Sequence, residues 1–202
     1  TGSITSIVVP DDQSLFLSGS LDGTIRAWRF QNLFTDVHHR SSAVTKTLDD
    51  TAVASMAAYD NSKTFMYGTT GGKVQVLCIE SAPFSQVRSY DTLNEGSIKG
   101  IASLTGTVSS TILYASSAGV IRGEDLRMKQ TAHTCMMHPG LGNISCLAVT
   151  DTTAAPWMTV GTEDGYIALW ELRFNVMSKL WRHSSHSTIH KISIPSSPFP
   201  EA

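Results

Sequence analysis

The chain has 202 residues, of which 41% are hydrophobic and 16% charged, with a formal net charge of −2 at pH 7. This composition supports a packed core, excludes a disordered chain, and gives no electrostatic case for nucleic acid or an anionic membrane surface. No apolar run approaches the roughly 20 residues that a transmembrane helix needs, and Cys78, Cys135 and Cys146 are odd in number and widely spaced, as reduced thiols are.

In chain order, Ile4–Val9 and Ser14–Ser20 read as short strands. Leu21-Asp22-Gly23-Thr24 then turns the chain, because Asp-Gly supplies the positive φ a tight hairpin requires. Ile25–Phe30 follows as a strand that carries Trp28. The connection from Phe30 to Thr51, with Phe34, His38 and Arg40, reads as a surface loop or a contact loop. The same sequence of signals then recurs. Val53–Ala58, Ile98–Ser103 and Ile144–Val149 each open a unit. Gly68-Thr-Thr-Gly-Gly72-Lys-Val-Gln-Val-Leu77, Ala115-Ser-Ser-Ala-Gly119-Val-Ile-Arg-Gly-Glu124 and Gly161-Thr-Glu-Asp-Gly165-Tyr-Ile-Ala-Leu-Trp170 repeat the hairpin. Gln86–Tyr90, Ala132–Met137 and Met177–Trp181 are the candidate outer strands. Ile189–Ile194 opens a fifth unit that is not completed, and both ends of the chain read as cut from something larger.

The turn glycines Gly23, Gly72, Gly119 and Gly165 lie 49, 47 and 46 positions apart. That is close to the 40–45 residues of a four-stranded propeller blade. The fold expected is therefore all-β: a fragment of a WD-repeat β-propeller with four blades and the first strand of a fifth, part of a larger ring. The blades span approximately 3–50, 51–96, 97–142 and 143–187, and a further blade starts over 188–202. An arc of this kind exposes an apolar flank at each end, so poor solubility of the isolated fragment is expected.

In WD repeats a histidine, a Ser or Thr, an aspartate and a tryptophan are able to satisfy one another by hydrogen bonds, which is how buried polar groups are tolerated. The fourth unit resembles this pattern with His138, Thr162, Asp164 and Trp170, and the first with Ser20, Asp22 and Trp28. The second and third have Leu77 and Glu124 in place of tryptophan and are expected to rely on packing alone. His183 precedes Ile189 as His138 precedes Ile144, which assigns it to the incomplete fifth unit.

Other constellations fail on chemistry. Gly68–Lys73 lacks both the first glycine of a phosphate loop and its Ser or Thr after the lysine, since Tyr67 and Val74 stand there. His183, His186 and His190 form a run, to which His38-His39 adds a pair, but no Cys or acid lies inside the run to complete a metal site. No nucleophile elbow or ordered triad is present, and the acids are scattered. No catalytic residue, metal or cofactor is expected.

The chain also resembles a particular family over nearly its whole length: the regulatory subunit of class III phosphatidylinositol 3-kinase, the vacuolar protein sorting protein fifteen family. The resemblance rests on Ser14–Trp28, Gly72–Glu80, Ile112–Ser116 with Asp125-Leu-Arg127, and Gly161–Phe174 with Ser178–His183. Glu124 departs from the tryptophan usual in that family before Asp-Leu-Arg. The resemblance implies a seven-bladed C-terminal propeller that serves as a non-catalytic scaffold in autophagy and in endosomal and vacuolar sorting. It implies a protein-kinase-like domain elsewhere in the parent chain. The implied partners are the lipid-kinase catalytic subunit, a Beclin-type subunit and its coiled-coil partner. The implied location is cytoplasmic and peripheral on endosomal, vacuolar or autophagosomal membranes, which the chain would reach only indirectly through the complex. The alternative function is another WD-repeat adaptor, such as a ubiquitin-ligase substrate receptor or a trafficking coat component.

Overall fold

The structure is a computed structural model that describes residues 2–10, 15–29, 44–48, 51–59, 64–79, 84–92, 94–105, 110–128, 131–151 and 156–194. Sixteen strands form four antiparallel sheets, each made of four strands consecutive in sequence. The first sheet holds β1 (Ile4–Val8), β2 (Leu15–Ser20), β3 (Thr24–Arg29) and β4 (Val44–Thr47). The second holds β5 (Val53–Tyr59), β6 (Thr64–Thr69), β7 (Lys73–Cys78) and β8 (Ser85–Asp91). The third holds β9 (Ile98–Thr105), β10 (Ser110–Ser116), β11 (Val120–Asp125) and β12 (Thr131–Met136). The fourth holds β13 (Ile144–Asp151), β14 (Pro156–Thr162), β15 (Tyr166–Glu171) and β16 (Val176–Arg182). This is a WD-repeat propeller arc of four blades. Of the Phe30–Thr51 connection, Val44–Thr47 is the outer strand of the first blade, while Phe34, His38 and Arg40 lie outside the described residues.

The core sits between blades. Leu17, Ile25 and Ala27 of the first blade pack on Val53, Phe65, Tyr67 and Leu77 of the second. Met66, Val74 and Val76, on the opposite face of the second, pack on Ile98, Ile112 and Tyr114 of the third. Leu113, Ala115 and Ile121 of the third then meet Met158, Val160, Ala168 and Trp170 of the fourth. Successive side chains of a strand point to opposite faces, so a middle blade buries both and its strands read as near-continuous apolar runs.

Glycine makes the closest approach possible. A Cβ on Gly19 would stand 2.5 Å from Val53 Cγ1, one on Gly68 would stand 2.4 Å from Ile98 Cγ2, and one on Gly161 would stand 2.8 Å from Ile189 Cγ2. Val53 and Ile98 each begin the inner strand of the next blade. Ile189 occupies the same place against the fourth blade, and its backbone N–H donates to Thr162 O at 3.1 Å. Residues 188–194 therefore dock where the first strand of a further blade would lie, and among the described residues no strand pairs with them.

Each inner strand carries a bulge at its start. The pairing skips one residue between Ile4 and Ser6, between Val53 and Ser55, between Ile98 and Gly100, and between Ile144 and Cys146. The skipped residues are Thr5, Ala54, Lys99 and Ser145. Where the skipped residue has a hydroxyl it binds the neighbouring blade: Thr5 Oγ1 donates to Val53 O at 2.7 Å and Ser145 Oγ donates to Ile189 O at 2.6 Å. Ile4 and Ile7 of β1 are about 60% exposed. Among the described residues no sheet packs on the face that carries Phe16 and Trp28, and both are only half-buried.

Candidate interaction surface

The hairpin between the second and third strands of each blade defines one face of the arc. Gly23 sits at φ 75°, and Gly72, Gly119 and Gly165 at 81°, 85° and 80°, a region closed to most side chains. Each of these glycines accepts, on its carbonyl, the N–H of the residue that follows the outer strand: Leu48, Thr92, Met137 and His183 respectively. A buried hydroxyl ends the second strand in every blade, at Ser20, Thr69, Ser116 and Thr162. Thr69 Oγ1 accepts from Lys73 N, Ser116 Oγ from Val120 N and Thr162 Oγ1 from Tyr166 N, so the hydroxyl fastens the turn. In the first blade Ser20 Oγ accepts from Asp22 N, while the Asp22 carboxylate accepts from Gly2 N, Thr24 N and Thr24 Oγ1. These donors hold the Asp22 carboxyl well below the usual carboxylate range, the Thr24 hydroxyl first among them.

The tryptophan positions need a different hydroxyl from the one the sequence suggests. Trp28 Nε1 donates to Ser18 Oγ at 2.8 Å, not to Ser20. Register is the reason: Trp28 stands opposite Phe16 and Ser18 opposite Arg26, so Ser18 is the diagonal neighbour and Ser20 lies one step too far along the strand. In the fourth blade Met158 pairs with Trp170, which puts Val160 at the diagonal position, and the buried Trp170 Nε1 has no hydrogen-bond partner. Thr162 serves the turn instead. His138 is exposed, caps the short turn Pro139–Leu141 and accepts from Gly140 N on Nδ1. Asp164 is also exposed, and its carbonyl accepts from Arg182 Nε. His138, Thr162, Asp164 and Trp170 thus do not assemble into one network. His183 corresponds to Met137 rather than His138, since His183 N binds Gly165 O as Met137 N binds Gly119 O. Its Nδ1 lies 2.8 Å from Ser185 Oγ.

The two blades without tryptophan do not rely on packing alone. In the third, the same diagonal position holds Tyr114, whose hydroxyl donates to Glu124 Oε1 at 3.3 Å, and Thr131 Oγ1 donates to that oxygen at 3.0 Å. Burial and the nearby Glu124 carboxylate push the Tyr114 phenol up. In the second, Tyr67 donates to Gln75 Oε1 at 2.6 Å, and burial pushes its phenol up to about 12. One further polar contact joins the third blade to the fourth. Asn175, at φ 56° in the turn before β16, donates from Nδ2 to Thr134 O at 2.8 Å and accepts from Cys135 Sγ at 2.7 Å. Sequence reading passes over Asn175; its one signal is that Asn tolerates the left-handed region.

The surface left for partners is polar on the turn face and apolar at the outer edge of the fourth blade. On the turn face Arg122 pairs with Glu95, and Glu163 binds both Lys99 at 3.7 Å and Asn143 at 3.0 Å. At the outer edge of the fourth blade Phe174, Val176, Leu180 and Trp181 are between 42% and 71% exposed. Among the described residues no three His, Cys, Asp or Glu side chains group as metal ligands, and no helix is long and apolar enough to cross a membrane.

Comparison with known proteins agrees with this geometry. The WD domain, G-beta repeat model matches residues 1–29, the first blade's three inner strands. The serine/threonine-protein kinase vps15 of Dictyostelium discoideum is 24% identical over 86% of this chain and 9% of its own length. For VPS15 of Komagataella pastoris the figures are 27%, 98% and 15%, and for that of Arabidopsis thaliana 23%, 95% and 14%. This chain is similar to a WD-repeat region of VPS15 proteins. It spans at most about a seventh of these VPS15 relatives, and that part is propeller rather than kinase.

Proposed function

We propose that this segment is a non-catalytic assembly surface within the regulatory subunit of a class III phosphatidylinositol 3-kinase complex, acting in autophagy and in endosomal and vacuolar sorting. The observation that carries the reading is that a chain folded as four like blades is similar to VPS15 relatives over most of its length. Its partners in this reading are the lipid-kinase catalytic subunit, a Beclin-type subunit and that subunit's coiled-coil partner. The complex acts on endosomal, vacuolar or autophagosomal membranes, and the chain reaches them through it from the cytoplasm. The channel-side bulges and turn hydroxyls serve the ring in this reading, and the exposed edges and turn face serve the partners.

The test is purification of the full-length parent protein from its own cells, with and without a charge placed on the outer edge of the fourth blade by Leu180→Glu. Recovery of a lipid kinase and a Beclin-like protein is expected with the unaltered chain. Recovery of neither, with ubiquitin-ligase or coat subunits in their place, would transfer the chain to another class of WD-repeat adaptor.

A further inference from the structure

The wall of the central channel differs in charge from the rest of the chain. A cavity of about 450 Å³ is lined by the inner strands of all four blades and by residues 190–192. Its polar lining includes Thr5, Ser6, Ser55, Ser145, Lys99, His190 and Lys191, and among the described residues no carboxylate lines it. Two lysines on one wall stand out in a protein whose acids outnumber its lysines and arginines, 17 to 15. Part of the reason is local sequence: between Glu171 and Pro195 there is no Asp or Glu, while Arg173, Lys179, Arg182 and Lys191 fall there. The fold adds the rest. The bulge that projects Thr5, Ala54 and Ser145 places Lys99 at the same level of the third blade, and the docking of Ile189 on Gly161 carries His190 and Lys191 to the wall beyond Ser145. Glu163 approaches Lys99 at 3.7 Å and is not among the lining residues.

We propose that this wall binds a phosphate-bearing ligand, with Lys99 and Lys191 as its cationic anchors and His190 and the channel hydroxyls as hydrogen-bonding groups. Two ammonium groups match a phosphate dianion better than a single carboxylate, and a concave wall that gathers charges of one sign attracts it more than the same charges spread over a flat surface. The volume falls in the range of small-molecule sites. The ligand class is a compact organic phosphate, free or as the headgroup of a lipid. This inference is independent of which complex the chain joins.

The experiment uses the full-length parent protein and two probes, inositol hexakisphosphate in solution and vesicles containing a phosphoinositide. Saturable binding of at least one probe is expected, weakened at least tenfold by Lys99→Gln with Lys191→Gln and weakened steeply by added salt. Glu163→Gln, which releases Lys99 from its partner, is expected to tighten binding severalfold. Binding of the soluble probe identifies a free phosphate as the ligand, and binding of vesicles alone identifies a headgroup. No saturable binding of either probe, or equal binding by the lysine variants with an unchanged melting profile, would overturn the proposal.

Discussion

Trp28 Nε1 finds Ser18 Oγ at 2.8 Å, while the matching Trp170 Nε1 faces Val160 and is buried without a partner. The same diagonal of the blade therefore holds a satisfied indole in the first blade, an unsatisfied one in the fourth, and a tyrosine–carboxylate pair, Tyr114 and Glu124, in the third. An unmet buried donor costs about 1–3 kcal/mol. Val160→Thr keeps the side-chain shape and offers the missing acceptor, so it should be tolerated far better than an ordinary buried Val→Thr change. Ser18→Ala should cost about 1 kcal/mol. Hydrogen exchange of β14 and β15 in the first case, and of β2 and β3 in the second, reads both effects. Strong loss of protection in Val160→Thr would show that the indole gains nothing there.

The glycine that faces the next blade should resist any side chain. A Cβ at position 68 would overlap Ile98 at 2.4 Å and 2.6 Å, and the neighbour is a β-branched residue buried at the blade interface. Gly68→Ala should cost about 1–3 kcal/mol, the usual range for overpacking. Combining it with Ile98→Ala, which removes the Cγ2 that the new methyl would meet, should cost less than the sum of the two single changes. Simple additivity in thermal melts would show that the contact is not the source.

Asn175 should act as a clamp between the third and fourth blades. Asn175→Gly keeps the left-handed backbone but removes both bonds, and a loss of about 1–2 kcal/mol is expected in the protection of β12. Asn175→Ala should lose about 1–2 kcal/mol more, through strain at φ 56°. Identical protection in the glycine variant and the parent would show that the clamp is idle.

Burial pushes the Cys135 thiol up from an ordinary 9.0 to about 11. The folded state thus holds this proton more tightly than the unfolded chain does. The stabilisation is present below pH 9 and is lost as pH rises from 9 through 11. Cys135→Ala should flatten the stability profile in that window, measured by urea unfolding. At pH 8 iodoacetamide should modify the partly exposed Cys78 well before the buried Cys135 and Cys146. Equal rates for all three would contradict the burial of Cys135 between the third and fourth blades and of Cys146 beside Ile189.

The amino-acid sequence by itself determined the blade. Short apolar runs, an Asp-Gly or Gly-Gly turn and their recurrence every 46 to 49 residues are local signals, so they can be read without knowing what packs against what. The assembly of the blades was decided only in three dimensions. Whether Ser18 or Ser20 serves Trp28 depends on strand register, and whether Trp170 finds a partner depends on which residue sits diagonally across a sheet. That Glu124 joins Tyr114 and Thr131 instead of leaving its blade to packing, and that Asn175 reaches Thr134 some forty residues back, are likewise decided by the tertiary fold. Hydrogen bonds need both partners within about 3 Å and well oriented. Distance along the chain carries no information about that, whereas the alternation of a single strand does.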